Sequence, residues 1–159
     1  MTNFRTGSVS DQNGDTVRTG SVSDQRVVLV PCSGIGKTYG SVTREAAYVT
    51  VEELRPDTTQ IVPLSLLVLG DEAARAAVQG ADVITLDGCK LACATVNVQQ
   101  AGGHVAKAYA VLDFYRQHRD LKPQGIAELN EGGLALARAL AEDIAATCDE
   151  LTAQEADHA

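Results

Sequence analysis

The sequence predicts a small doubly wound α/β domain: about four parallel strands, order 2-1-3-4, with helices on both faces. Three observations lead there. Short apolar, β-branched runs recur at 27–31, 60–64, 82–86 and 105–112. Stretches with apolar residues at helical spacing separate them, and Gly, Pro or Asp marks most junctions. Strands that alternate with helices build parallel sheets covered on both sides.

The organised part begins at Arg26. VVLVP at 27–31 is apolar throughout, as a strand buried on both faces must be. In 43–54 (TREAAYVTVEEL), Ala47, Val51 and Leu54 share a helical face and Thr43 is a capping residue; Pro56-Asp57 ends the pattern. QIVPL at 60–64 reads as a second strand, placed at an edge by Pro63. DEAARAAV at 71–78 is a helix opened by acidic residues and stopped at Gly80. DVITL at 82–86 is the third strand, and Asp87-Gly88-Cys89 turns out of it. A helix is expected over 90–100, closed by Gly102-Gly103, then a fourth strand at 105–112. The polar stretch 113–124 is expected to be helical and is closed by Pro123. The longest amphipathic helix is expected over 129–151, apolar at Leu136, Ala139, Leu140, Ile144 and Leu151.

Residues 1–25 are different. RTGSVSDQ at 5–12 returns unchanged at 18–25. Two short polar copies cannot stack as a solenoid, and they carry too little apolar surface to offset their ordering entropy. A disordered tail is expected there, one domain over 26–152, and a second disordered tail over 153–159.

Hydrophobic residues make up 45% of the chain but aromatics only 4%, so Ala, Val and Leu must fill the core. A net charge of −8 excludes a general nucleic-acid binder, which needs a basic face to release counterions. No run approaches the roughly 18 apolar residues of a membrane span, and no secretory signal core is present. A cytoplasmic protein is expected, its four cysteines reduced and without a disulfide framework. No stretch specifies a protein partner.

In open parallel sheets, ligands bind beyond the carboxyl ends of the strands, where the strand order reverses. Pro31-Cys32-Ser33 follows strand one and Asp87-Gly88-Cys89 follows strand three, and in a 2-1-3-4 order these strands are neighbours about 4.8 Å apart. Cys93 lies four residues past Cys89, so a helix starting at Cys89 would put both sulfurs on one face. Cys32, Cys89 and Cys93 are therefore candidate ligands for a soft divalent metal, zinc first; another transition metal or an iron–sulfur cluster suits the same thiolates. Cys148 lies near the far end of the last helix. A helix that starts above the sheet and runs down it would carry this thiol roughly 28 Å away. It joins the others only if the polar stretch after strand four first carries the chain to the bottom edge; otherwise it is a small buried helix residue.

Two other chemistries compete. PCSGIGKT imitates a phosphate-binding loop, with Ser33, Gly34, Gly36 and Lys37 around an anion and Asp87 on magnesium. Against it, Pro31 stands where the first glycine belongs and has no N–H, and Gly40 weakens a helix expected to start there. A nucleophilic Cys32 on an anion-binding loop would want an arginine where Thr38 stands. The plainer readings are that Lys37 and Lys90 are solvated, that Asp87 caps the helix carrying Cys93, and that His104 is structural, at the wrong edge for the site. No general base stands beside the cysteines, so no catalytic residue is assigned.

PCSGIGK and DGCKLACA together resemble the DGC-domain family, named for the Asp-Gly-Cys tripeptide matched here by Asp87-Gly88-Cys89. The resemblance runs from about 26 to 151. It implies a zinc ion held by four cysteines: Cys32, Cys89 and Cys93 by motif, and Cys148 by being the fourth in the chain. It supplies a ligand and no reaction.

Overall fold

The computed structural model describes residues 27–32, 34 and 36–158; the duplicated segment at 1–25, Ser33 and Ala159 lie outside the described residues. Four parallel strands, β1 (Val27–Pro31), β2 (Thr59–Ile61), β3 (Asp82–Asp87) and β4 (His104–Ala110), lie in the order β2-β1-β3-β4. This is the expected α/β class and the expected strand order. Register pairs Val27 with Thr59 on one side and Asp82 on the other, and β3 pairs with β4 through a shift at Val83/Ile84.

The alternation of β1 explains its continuous hydrophobicity. Val27 and Leu29 join Ile84 and Leu86 on one face, beneath α1 (Thr38–Tyr48), α5 (Val111–Gln117) and α6 (Glu131–His158). Val28 and Val30 join Val83 on the other, beneath α2 (Leu64–Leu69), α3 (Glu72–Gln79) and α4 (Cys93–Gln100). Every residue of β1 is buried because both faces are covered. No helix among the described residues is long and apolar enough to cross a membrane.

Several boundaries differ from expectation, each for a physical reason. The first helix starts at Thr38, five residues early, and includes Gly40; from Val49 to Leu54 it continues with π-type bonding. The expected strand at 60–64 ends at Ile61, because Leu64 opens a short apolar helix, α2, closed by a left-handed Gly70. α4 begins at Cys93 instead of 90, since residues 88–92 form a turn. β4 ends at Ala110, where the chain enters α5 directly, and a 3-10 turn at Arg119–Leu121 replaces the rest of the helix expected over 113–124. α6 continues to His158, past the amphipathic pattern that ends near Leu151.

Gly40 is the informative case. Glycine inside a helix costs about 1 kcal/mol relative to alanine, whereas burying Val42 close by contributes about 1.5–3 kcal/mol. Gly40 is also required. A Cβ on Gly40 would overlap Gly34 Cα, and one on Gly34 would overlap Gly40 Cα. A Cβ on Gly88 would fall 2.8 Å from Gly40 N. The loop after β1, the first turn of α1 and the turn after β3 therefore meet through bare backbone.

This contact predicts that Gly40→Ala lowers stability by about 2–3 kcal/mol, seen as a reduced urea midpoint. Gly80→Ala is the control: its Cβ would lie at an ordinary 3.4 Å from Ala76 O, and its effect should stay within about 0.5 kcal/mol. Equal small effects at the two positions would refute the steric account.

Candidate metal centre

Cys32 leaves β1 at the carboxyl edge of the sheet. Its N–H still donates to Leu86 O of β3 at 2.8 Å, so the residue is held in sheet register beyond the end of the strand. Its Sγ accepts the Gly88 N–H at 3.3 Å and lies 3.8 Å from Thr43 Oγ1. The Thr43 hydroxyl donates to Gly40 O at 2.7 Å, which leaves the thiol as donor to Thr43. The β1 loop and the Asp-Gly-Cys turn thus touch through sulfur as well as through glycine.

Asp87 ends β3 with its side chain buried. Oδ1 accepts from Ala94 N at 2.8 Å, and Oδ2 accepts from Thr95 N at 3.1 Å and from Thr95 Oγ1 at 2.7 Å. These N–H groups belong to the first turn of α4, whose own preceding residue, Ala92, is left-handed (φ 47°) and provides no side-chain cap. The carboxylate therefore caps α4 from outside it and complements the positive end of the helix dipole. The Thr95 hydroxyl also sits 2.7 Å from Thr85 Oγ1, which tethers the helix to β3 a second time. With its oxygens engaged in this way, Asp87 is not presented to a magnesium ion as the phosphate-loop alternative requires.

Asp87 also fixes Cys93, the first residue of α4, at the rim. Cys93 is exposed and Cys89 is half-buried in the turn, closed by Ala92 N to Cys89 O at 3.2 Å. The expectation that Cys89 and Cys93 share a helical face is corrected, because Cys89 precedes the helix. The sulfurs also open toward different spaces. Cys32 lines a cleft of about 500 Å³ beside Ile61 and Leu64, and Cys89 lines a cleft of about 310 Å³ beside Ala110 and Leu112. Among the described residues, no three His, Cys, Asp or Glu side chains are gathered closely enough to hold a metal ion. The donor chemistry suits a soft cation, but the turn at 89–92 must move for the thiols to share one.

Cys148 is elsewhere. It is 1% exposed, in the core between α6 and the face of the sheet that carries Val27 and Leu29. The neighbouring Asp149 is bound by Arg55, which precedes β2, so Cys148 lies toward the amino ends of the strands. Burial, reinforced by Asp149, pushes this thiol from 9.0 up to about 11. The structure does not bring it to the rim.

Of the lesser candidates, Gly34 and Gly36 adopt positive φ (57° and 74°) and turn the loop, while Lys37 and Lys90 are exposed. His104 pairs with Asp82 at 2.9 Å at the amino edge of the sheet, away from the cysteines. Two residues of the rim are not apparent from sequence: Thr43, whose hydroxyl faces Cys32, and Arg44, beside the larger cleft. In sequence Thr43 reads only as a cap, and a helix start placed there conceals which way the first turn faces.

A family model for the DGC domain matches residues 28–131, which takes in both cysteine-bearing loops and the start of α6. No curated protein and no solved structure matches the chain.

The four thiols should divide into two classes. At pH 8, with metal removed, an alkylating reagent followed by peptide mapping should label Cys93 and Cys89 rapidly, and Cys32 and Cys148 only on unfolding. Above pH 9 the unfolded chain ionises its Cys148 thiol before the folded one does. The stability contributed by the neutral buried thiol is therefore present below pH 9 and is lost as pH rises through about 11. A Cys148→Ala variant should show a weaker alkaline decline in urea midpoint than the parent.

Proposed function

The chain belongs to the DGC-domain family, and on that premise we propose that it is a cytoplasmic metal-binding protein. It takes a soft divalent ion, zinc first, between Cys32, Cys89 and Cys93 at the carboxyl edge of the sheet. The observation that carries this reading is the Gly88 N–H held 3.3 Å from Cys32 Sγ. Chain geometry then limits the Cα of Cys89 to within about 8 Å of that sulfur. Two sulfurs sharing a zinc ion lie up to about 4.6 Å apart, each about 2.3 Å from it. Rotation of the Cys89 side chain with a modest shift of the turn is enough to close the difference.

Cys93 joins through the same turn, since residues 89 and 93 flank it. The buried position of Cys148 argues against a closed four-cysteine shell, so the fourth position is left to water or to a group from a partner. An open fourth position is what a catalytic zinc site has and a structural one lacks, and the missing general base is what favours binding or trafficking here. The loops supply a metal-binding corner, and no neighbouring general base supports a hydrolytic reading.

Zinc titration of reduced, untagged protein against a chromophoric chelator tests this. One equivalent should bind. Cys89→Ser and Cys93→Ser should each weaken binding by more than about a hundredfold, beyond what changes outside the ligand set produce. Cys148→Ala and Lys37→Ala should leave affinity unchanged, and ATP should not bind. Zinc retained by the Cys89/Cys93 double variant, or ATP binding lost on Lys37→Ala, would replace this reading with the phosphate-loop one.

A further inference from the structure

Cys89 and Cys93 are also placed to react with each other. Ala92 N donates to Cys89 O at 3.2 Å, which closes a four-residue turn over 89–92. Lys90 and Leu91, its central residues, have negative φ, because Ala92 and Lys122 are the only described residues other than glycine with positive values. A hydrogen-bonded turn with negative φ at both central positions is type I. Ala92, which follows them, is left-handed at φ 47° and ψ 44°. A type I turn followed by a left-handed residue is the common three-residue hairpin connection, and it sets its two flanking residues side by side. Here those residues are Cys89 and Cys93. Residues paired in this way have Cα atoms about 4.5–5.5 Å apart, inside the roughly 4.4–6.8 Å that a disulfide accepts.

The other two thiols are kept out of reach. Cys148 is buried in the core toward the amino ends of the strands, and Cys32 is buried with the Gly88 N–H on its Sγ. Cys93 is exposed at the start of α4, and Cys89 lines an open cleft of about 310 Å³. A small reagent in solution therefore meets this pair first.

We propose that Cys89 and Cys93 form a reversible dithiol–disulfide couple that exchanges with low-molecular-weight disulfides. The thiolate of Cys93, the more exposed of the two, attacks one sulfur of the small disulfide and expels one small thiolate. This leaves a mixed disulfide on Cys93. The thiolate of Cys89 then attacks Cys93 Sγ, closes the Cys89–Cys93 bond and expels the second small thiolate. Two electrons pass from the pair to the small disulfide, and the two protons lost by the cysteines end on the two released thiols. In a reducing compartment such a pair rests as the dithiol and closes transiently. No metal takes part, so the couple stands or falls separately from the zinc reading.

Incubation of the reduced full chain with excess oxidised glutathione, chelator present, tests the couple after acid quenching, alkylation and tryptic mapping. Trypsin cuts after Lys90, so a Cys89–Cys93 bond shows as two peptides joined across that cut. This linked species should dominate in the parent protein. Cys89→Ser should instead retain glutathione on Cys93. Ala92→Gly keeps the left-handed residue and should leave the yield unchanged. Ala92→Val disfavours it and should lower the ratio of linked to mixed-disulfide forms by about tenfold, with the fold of both variants checked by circular dichroism. Stable glutathione adducts on Cys93 of the parent, or a bond from either residue to Cys32, would overturn the proposal. So would equal yields from Ala92→Gly and Ala92→Val.

Discussion

Everything at the carboxyl rim depends on three stretches of backbone that approach without side chains between them. Gly34 lies against Gly40, and Gly40 against Gly88, so the β1 loop, α1 and the β3 turn share one contact. Parallel strands about 4.8 Å apart bring their loops to the same edge without by themselves fixing how the loops meet. Here the close approach holds them together, and the Gly88 N–H reaches Cys32 Sγ as a consequence. A methyl group at any of the three positions would push the loops apart and move that sulfur off its donor.

The Asp-Gly-Cys tripeptide then divides into three separate duties. Asp87 turns inward and satisfies the first turn of α4, which is otherwise uncapped after the left-handed Ala92. Gly88 supplies the bare backbone. Cys89 is left half-buried in the turn, beside a small cleft. Asparagine at 87 would turn an amide NH2 toward N–H donors. Alanine at 88 would enter the helix backbone. Two of the three residues are thus fixed by construction of the rim, which leaves the cysteine as the one that chemistry can use.

The strand order and the rim were legible in the sequence because they rest on patterns local to each segment: an apolar run for β1, alternation of strands with helices, turn residues after β1 and β3. What stayed hidden depends on distant residues. Gly40 reads as a helix breaker until Gly34 and Gly88 are seen against it, and this displaced the predicted start of α1 by five residues. Leu64 reads as the end of a strand because the five apolar residues of LSLLVL show no helical period, yet Leu64 and Leu67 are buried in the core while Val68 and Leu69 remain exposed. The convergence of Cys32 with the Asp-Gly-Cys turn was legible from topology. The separation of Cys89 from α4 was not, because Asp87 caps a helix that starts six residues later, a spacing no local capping pattern contains.

The partition of the thiols bears on what kind of metal site this rim can form. Cys148 and Cys32 are packed, while Cys89 and Cys93 sit at the edges of a short turn that contains a non-glycine residue in a left-handed conformation. Holding Ala92 there costs about 1–2 kcal/mol, so the turn is not at a local optimum. Repositioning its four residues is opposed by a few kcal/mol of ordering, whereas capture of zinc by thiolates contributes about 10–16 kcal/mol in small domains. On the proposed reading, zinc capture would outweigh that ordering cost, and the distance between the sulfurs in the free protein would not prevent them from sharing an ion. Binding would then depend on motion of residues 89–92, with the glycine contact and the Asp87 cap holding the two sides of the turn. On that reading, a rim built in this way would confine the rearrangement to one turn.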